Sequence, residues 1–176
     1  MISGINFQDG IRRGDASYYF TRLCHIWGWA TWRRAWEKFQ FNIAPLYNKL
    51  KQRGEFDHFF ANYFETRYRI GKLEETAAKN GTQDWWDYQW DFARYVNSGL
   101  SIVPNTNLVK NIGFGADATH TPDNRIAAAA LEANEIEFPL RHPPFMIRDV
   151  ESEDRYFNVL MKDKVLAKLR RFGVPV

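Results

Sequence analysis

The run Trp85-Trp86-Asp87-Tyr88-Gln89-Trp90 sets one carboxylate among three indoles. Aromatic faces exclude water, and a carboxylate short of water is costly in its charged form unless something compensates. Such a group is suited to taking a proton from a hydroxyl near neutral pH. Asp84 and Asp91, three residues before and four residues after Asp87, are rivals for that role, because helical spacing brings all three onto neighbouring faces. Downstream, Ile102-Val103-Pro104-Asn105 leads to Asn111-Ile112-Gly113-Phe114-Gly115-Ala116-Asp117-Ala118-Thr119-His120, a glycine turn that carries a histidine. Lys110 and the backbone from Asn111 through Gly113 and Phe114 to Gly115 could face an anion, and His120 could ligate a divalent metal. The plainer alternative is that Asp87 caps a helix, Trp86 and Trp90 fill a core, and His120 is a surface residue.

The elements that must hold these groups can be read from periodicity. An extended run over 17–23 is followed by Trp27-Gly28-Trp29, where glycine admits a backbone turn closed to other residues. From Thr31 to Gln40, Trp32, Trp36 and Phe39 recur at helical spacing with Arg33, Arg34, Glu37 and Lys38 on the other side, which predicts an amphipathic helix with inward indoles. Trp27, Trp29 and Trp32 could instead form a stacking platform, with Arg33 or Arg34 reaching a ligand's hydroxyls. Phe56, Phe59, Phe60, Tyr63, Phe64 and Tyr68 predict a second helix with one buried face, broken at Asn80-Gly81. A third is expected over 84–97, with Asp87 in its first turn, where the helix dipole favours negative charge, and Gly99 as its left-handed terminator. Short strands are expected over 100–103 and 107–110, a loop at Arg141-His142-Pro143-Pro144, and a helical or irregular connection at Ala127 to Ala130. The last helix, over 152–172, places Met161, Val165, Leu169 and Phe172 on one side as a docking face, while its Lys and Arg residues offer an alternative contact with an anionic membrane surface.

Composition narrows the classes. A chain of 176 residues suits one domain with a proper core, without repeats or a Gly/Ser linker. The formal charge of +3 is too small for the dense cationic face of a phosphate-backbone binder, so nucleic acid is not an expected partner. Seven tryptophans and fourteen phenylalanines suit a bulky core or flat platforms for sugar rings. The single cysteine, Cys24, excludes a disulfide framework and agrees with a cytoplasmic setting. The first residues lack a secretory pattern, and no apolar run reaches membrane-span length.

Together, Ser17-Tyr18-Tyr19-Phe20, the segment from Trp27-Gly28-Trp29 to Trp36, Trp86-Asp87-Tyr88-Gln89-Trp90 and the segment from Asn107 to Gly115 resemble a bacterial family of nucleotide-diphospho-sugar transferases, often labelled hemolysin-like. The arrangement is more distantly similar to the second half of the inverting N-acetylglucosaminyltransferase I type. The resemblance covers about residues 1 to 121. It implies a helix-rich α/β fold with few short strands, the C-terminal half of a GT-A Rossmann-like glycosyltransferase. It further implies a catalytic base at Asp87 and substrate contacts from Trp27, Trp29, Trp32, Arg33, Trp86, Trp90, Lys110, Asn111, Gly113, Phe114 and Gly115. His120 becomes a candidate ligand for the divalent metal, Mn or Mg, expected of the complete enzyme. The partners implied are a nucleotide-sugar donor, a glycan or lipid-linked acceptor, and an N-terminal nucleotide-binding half with an Asp-x-Asp motif, which this chain lacks. The competing expectation is a non-catalytic carbohydrate-binding or scaffolding remnant. Localisation is expected to be cytoplasmic, with peripheral contact at the inner membrane through the basic C-terminal helix as a further expectation.

Overall fold

Tyr18–Thr21 and Ser101–Pro104 are rich in aromatic and β-branched side chains, and they pair as the antiparallel strands β1 and β2, Tyr18 opposite Pro104 and Thr21 opposite Ser101. A computed structural model describes residues 1–60, 63–113 and 131–172, without the side chains of Asp57, His58 and Arg170. Its helices are α1 (Arg33–Trp36), α2 (Ala44–Gln52), α3 (Tyr63–Ala78), α4 (Asp87–Val96) and α5 (Val150–Arg171), with a 3-10 turn at Glu55–His58. The described residues thus form a helix-rich mixed α/β structure with a single two-stranded sheet. No helix among them is long and apolar enough to cross a membrane. The chain divides into two compact units, one of Met1–Ala30 with Leu100–Val176 and one of Thr31–Gly99.

The first unit is built on the strand pair. Ile2 bridges Ala30 on one side and Ile102 on the other, and Met1, Ile5, Tyr19, Phe20, Leu23, Val103 and Phe157 are buried around it. Asparagines beside the end of β2 tie the loops: Asn105 Nδ2 donates to the carbonyls of Arg13 (3.0 Å) and Ala16 (2.9 Å), and Asn6 Nδ2 donates to that of Pro104 (2.6 Å). The expected strand over 107–110 is absent; Leu108 N–H reaches the Gly4 carbonyl at 2.9 Å but no ladder continues. Asp149 starts α5 by accepting the Ser152 N–H at 2.7 Å, an N-cap that satisfies one orphan amide. Buried Glu153 then fastens the helix to β1, accepting Arg22 N–H at 2.7 Å and the Thr21 hydroxyl at 3.2 Å. Of the docking face expected through Met161, Val165, Leu169 and Phe172, Met161 and Leu169 are half-buried, whereas Val165 and Phe172 are 57% and 73% exposed. The buried residues of α5 are Ser152, Glu153 and Phe157, all in its first half.

The second unit packs Ile43 and Tyr47 of α2, Phe56 of the 3-10 turn, Leu73 and Ala77 of α3 and Phe92 of α4 into one core. Left-handed Gly54 (φ 69°) turns the chain into Glu55–His58, so the six aromatics expected on one continuous helix are split. Tyr63 and Phe64 consequently lie on the surface, 69% and 74% exposed, against expectation. Asn80 and Gly81 end α3 with φ of 52° and 86°, as their sequence suggests. The residue with left-handed geometry after α4 is Ser98 (φ 51°), where Gly99 was expected; Gly99 N–H instead closes onto the Arg94 carbonyl at 2.8 Å.

Candidate functional site

Helix α4 begins at Asp87, three residues later than its expected start, with Trp86 as N-cap. The indole of Trp86 makes no capping bond, but its carbonyl accepts the Trp90 N–H at 3.1 Å and sets the first turn. Asp87 is half-buried on that turn, and its carboxylate has no hydrogen bond or ion pair among the described residues. A carboxylate so placed is favoured by the helix dipole and retains its acceptor capacity for a ligand.

The indoles around it are gathered by Trp36, which sequence reading assigned to the core. Its ring lies 5.1 Å from Trp90 and 6.2 Å from Trp86, and it stacks on Phe39 at 4.5 Å with an interplanar angle of 8°. Trp90 is fully buried, whereas Trp36 is 39% exposed and Trp32 41%, so the expected inward stripe surfaces as an aromatic wall. The reason is local. The helix expected over 31–40 lasts one turn, after which the Lys38 and Phe39 N–H groups bond three residues back, so Trp32 and Trp36 sit at its two ends rather than along one continuous inward face. The Arg34 guanidinium stands 5.3 Å over the Trp32 ring, and Arg33 is exposed. In the same unit, Glu37, Lys38, Gln40, Leu46, Gln89 and Asn97 help line a cleft of about 500 Å³.

The rival carboxylates separate cleanly. Asp84 is exposed ahead of the helix. Asp91 belongs to a buried network that sequence reading missed: Arg94 Nη1 lies 3.3 Å and Arg69 Nη1 3.8 Å from its carboxylate, and Arg69 Nε donates to buried Glu65 at 2.6 Å. Burial pushes the Asp91 carboxyl up, while Arg69 and Arg94 pull it back; burial also pushes the neighbouring Tyr95 hydroxyl well up. The signal lay in the spacings Glu65–Arg69 and Asp91–Arg94, one helical turn each inside aromatic stripes.

The remaining candidates lie in the first unit. Gly28 has φ of 59°, and a Cβ there would stand 2.4 Å from Val109 Cγ1, so the Trp27-Gly28-Trp29 turn requires glycine on both counts. Trp27 and Trp29 are half-buried, Trp27 5.9 Å from Phe7. Lys110 pairs with Glu132 at 2.6 Å, and Asn111 Oδ1 accepts the Gly113 N–H at 2.8 Å in a local turn. Thus Trp32, Arg33, Trp86, Asp87 and Trp90 share one unit, and Trp27, Trp29, Lys110, Asn111 and Gly113 the other. Phe114, Gly115 and His120, with the alanine run 127–130, lie outside the described residues. Among the described residues no group of three or more His, Cys, Asp or Glu side chains is placed to hold a metal ion. Compared with protein-family models, curated proteins and solved structures, the chain matches none.

Proposed function

We propose that this chain is the acceptor-side half of an inverting, GT-A type nucleotide-diphospho-sugar transferase, with the aromatic wall of α1 and α4 as carbohydrate platform and Asp87 as base. The observation that carries the proposal is the junction of an exposed indole, Trp36, with Trp86, the residue next to an uncommitted carboxylate. Sugar rings present a C–H face that packs on indoles and a rim of hydroxyls that hydrogen-bonds to carboxylates and amides. The cleft lined in part by Glu37, Gln40 and Asn97 supplies further partners of that kind.

In the proposed step, the acceptor hydroxyl loses its proton to the Asp87 carboxylate while its oxygen forms the new bond to the anomeric carbon. The bond from that carbon to the diphosphate breaks on the opposite side, inverting the centre. A hydroxyl within about 3 Å of the carboxylate is the geometric requirement. The divalent metal of a complete enzyme would neutralise charge on the leaving diphosphate; the described residues supply acceptor binding and proton removal. On this proposal the nucleotide-sugar site lies apart from the wall and base, and the acceptor is a glycan or a lipid-linked glycan.

The test pairs two substitutions. With the nucleotide-binding half supplied, Asp87→Asn should lower transfer by about 10²–10⁴-fold while leaving glycan binding intact. Trp36→Ala should weaken glycan binding itself. If Asp87→Asn retains full transfer, Asp87 is not the base. If glycan binds but no transfer occurs under any supply of donor and metal, the chain is the non-catalytic carbohydrate-binding alternative, which uses the same wall without needing a base.

A further inference from the structure

The segment from Phe138 to Arg148 shows water more apolar surface than a loop of its length requires. Phe145, Met146 and Ile147 are consecutive and 70%, 72% and 71% exposed. Isolated apolar side chains on a surface are ordinary; three adjacent ones at this exposure are the pattern of an interaction site. The chain holds them there. On one side Arg141 N–H donates to Ser17 Oγ at 2.9 Å and Ser17 N–H to the Arg141 carbonyl at 2.8 Å, and the Tyr18 hydroxyl meets His142 Nδ1 at 2.9 Å. On the other, Asp149 N–H donates to the Phe20 carbonyl at 2.7 Å. Pro143 and Pro144 stiffen the span between these anchors, so it cannot easily fold its apolar tip inward.

We propose that this anchored loop is a membrane-contact element that inserts Phe145, Met146 and Ile147 into the interface of a phospholipid bilayer. Two observations favour a bilayer over a second copy of the chain. The three side chains offer roughly 150 Å² each, about 450 Å² together and about 600 Å² with exposed Phe138, short of the roughly 800 Å² per partner that a stable protein interface buries. In addition, Arg141 and His142 line the same cleft as Phe145 and Ile147, and no acidic residue occurs between Phe138 and Arg148. Of the nearby charges, Arg13 is held by Asp149 and Glu151, and Arg148 by Glu153, which leaves Arg141 to snorkel toward lipid phosphates, with Asp15 on one side and Glu135 and Glu137 on the other as opposing charges and Arg12 as a further cation. The element is distinct from helix α5 and independent of any glycosyl transfer.

The experiment is co-sedimentation of the full chain with vesicles of phosphatidylcholine, with and without phosphatidylglycerol. Binding is expected, stronger to the anionic vesicles. The double variant Phe145→Ser, Ile147→Ser should lower the partition coefficient at least about ten-fold, and Arg141→Gln about five-fold at low salt. All three side chains are exposed, and an unchanged thermal melt verifies that folding is intact. The proposal is overturned if the wild type does not sediment with vesicles or if the double variant binds as the wild type does. It is also overturned if Lys162→Gln, Lys168→Gln, Arg171→Gln abolishes binding that the double variant retains, which would assign the contact to α5. Sedimentation velocity covers the remaining occupant: a wild-type dimer that the double variant converts to a monomer would make the loop a self-interface.

Discussion

Asp87 and Asp91 lie one turn apart on the same helix, yet their surroundings give them opposite work. Asp91 is enclosed with Arg69 and Arg94, so its carboxyl group is taken up by the fold. Removing one partner of a buried pair strands the others, and Arg69→Met should destabilise the chain by about 3–5 kcal/mol in urea denaturation. Burial holds the folded pKa of Asp91 above its unfolded value. Its contribution therefore favours the fold below an unfolded pKa of about 3.9 and is lost as pH rises through the folded value. Asp91→Asn should flatten that decline when stability is measured across a pH series; an unchanged slope would remove Asp91 as its source. Gly28→Ala combines a left-handed φ with a contact to Val109 far inside van der Waals range, and a loss of about 2–3 kcal/mol is expected in the same assay. At this scale the sequence was legible where backbone geometry forces a residue type, as at Gly28, Asn80 and Gly81. The buried charges escaped because Arg69 and Arg94 look like solvated side chains until the aromatic shell around them is assembled.

Among the elements, the sheet, the end of α3 and the existence of α4 followed from local pattern, with bounds displaced by a few residues. What local pattern could not supply was which side of a helix has anything to pack against. The stripe Trp32, Trp36, Phe39 has helical spacing, but a helix of a single turn cannot carry it inward, and it becomes an exposed wall. The stripe Val165, Leu169, Phe172 continues α5 past the reach of Glu153 and Phe157, where its outermost members meet solvent. Val165→Ser and Phe172→Ser should each change stability by no more than about 0.5 kcal/mol. A loss of about 2 kcal/mol or more would mean that the second half of α5 is packed after all.

At the scale of the molecule, the candidate base and its aromatic wall sit within Thr31–Gly99, which has a hydrophobic core of its own and interrupts the first unit between Ala30 and Leu100. The flanks of that interruption are neighbours, since Ile2 bridges both Ala30 and Ile102. A segment entering and leaving at adjacent points is inserted without disturbing its host, an arrangement favoured where chain ends lie close together. Residues 31–99 expressed alone should therefore unfold in a cooperative urea transition; a featureless one would contradict the independence of that core. The wall and the base remain the part of the account on which function rests, and glycan binding reads both. In a calorimetric titration of the full chain against a panel of oligosaccharides, at least one should bind, Trp36→Ala should weaken it by about ten-fold or more, and Asp87→Asn should leave it nearly unchanged. Binding that is absent throughout, or that is indifferent to Trp36, would contradict the carbohydrate assignment.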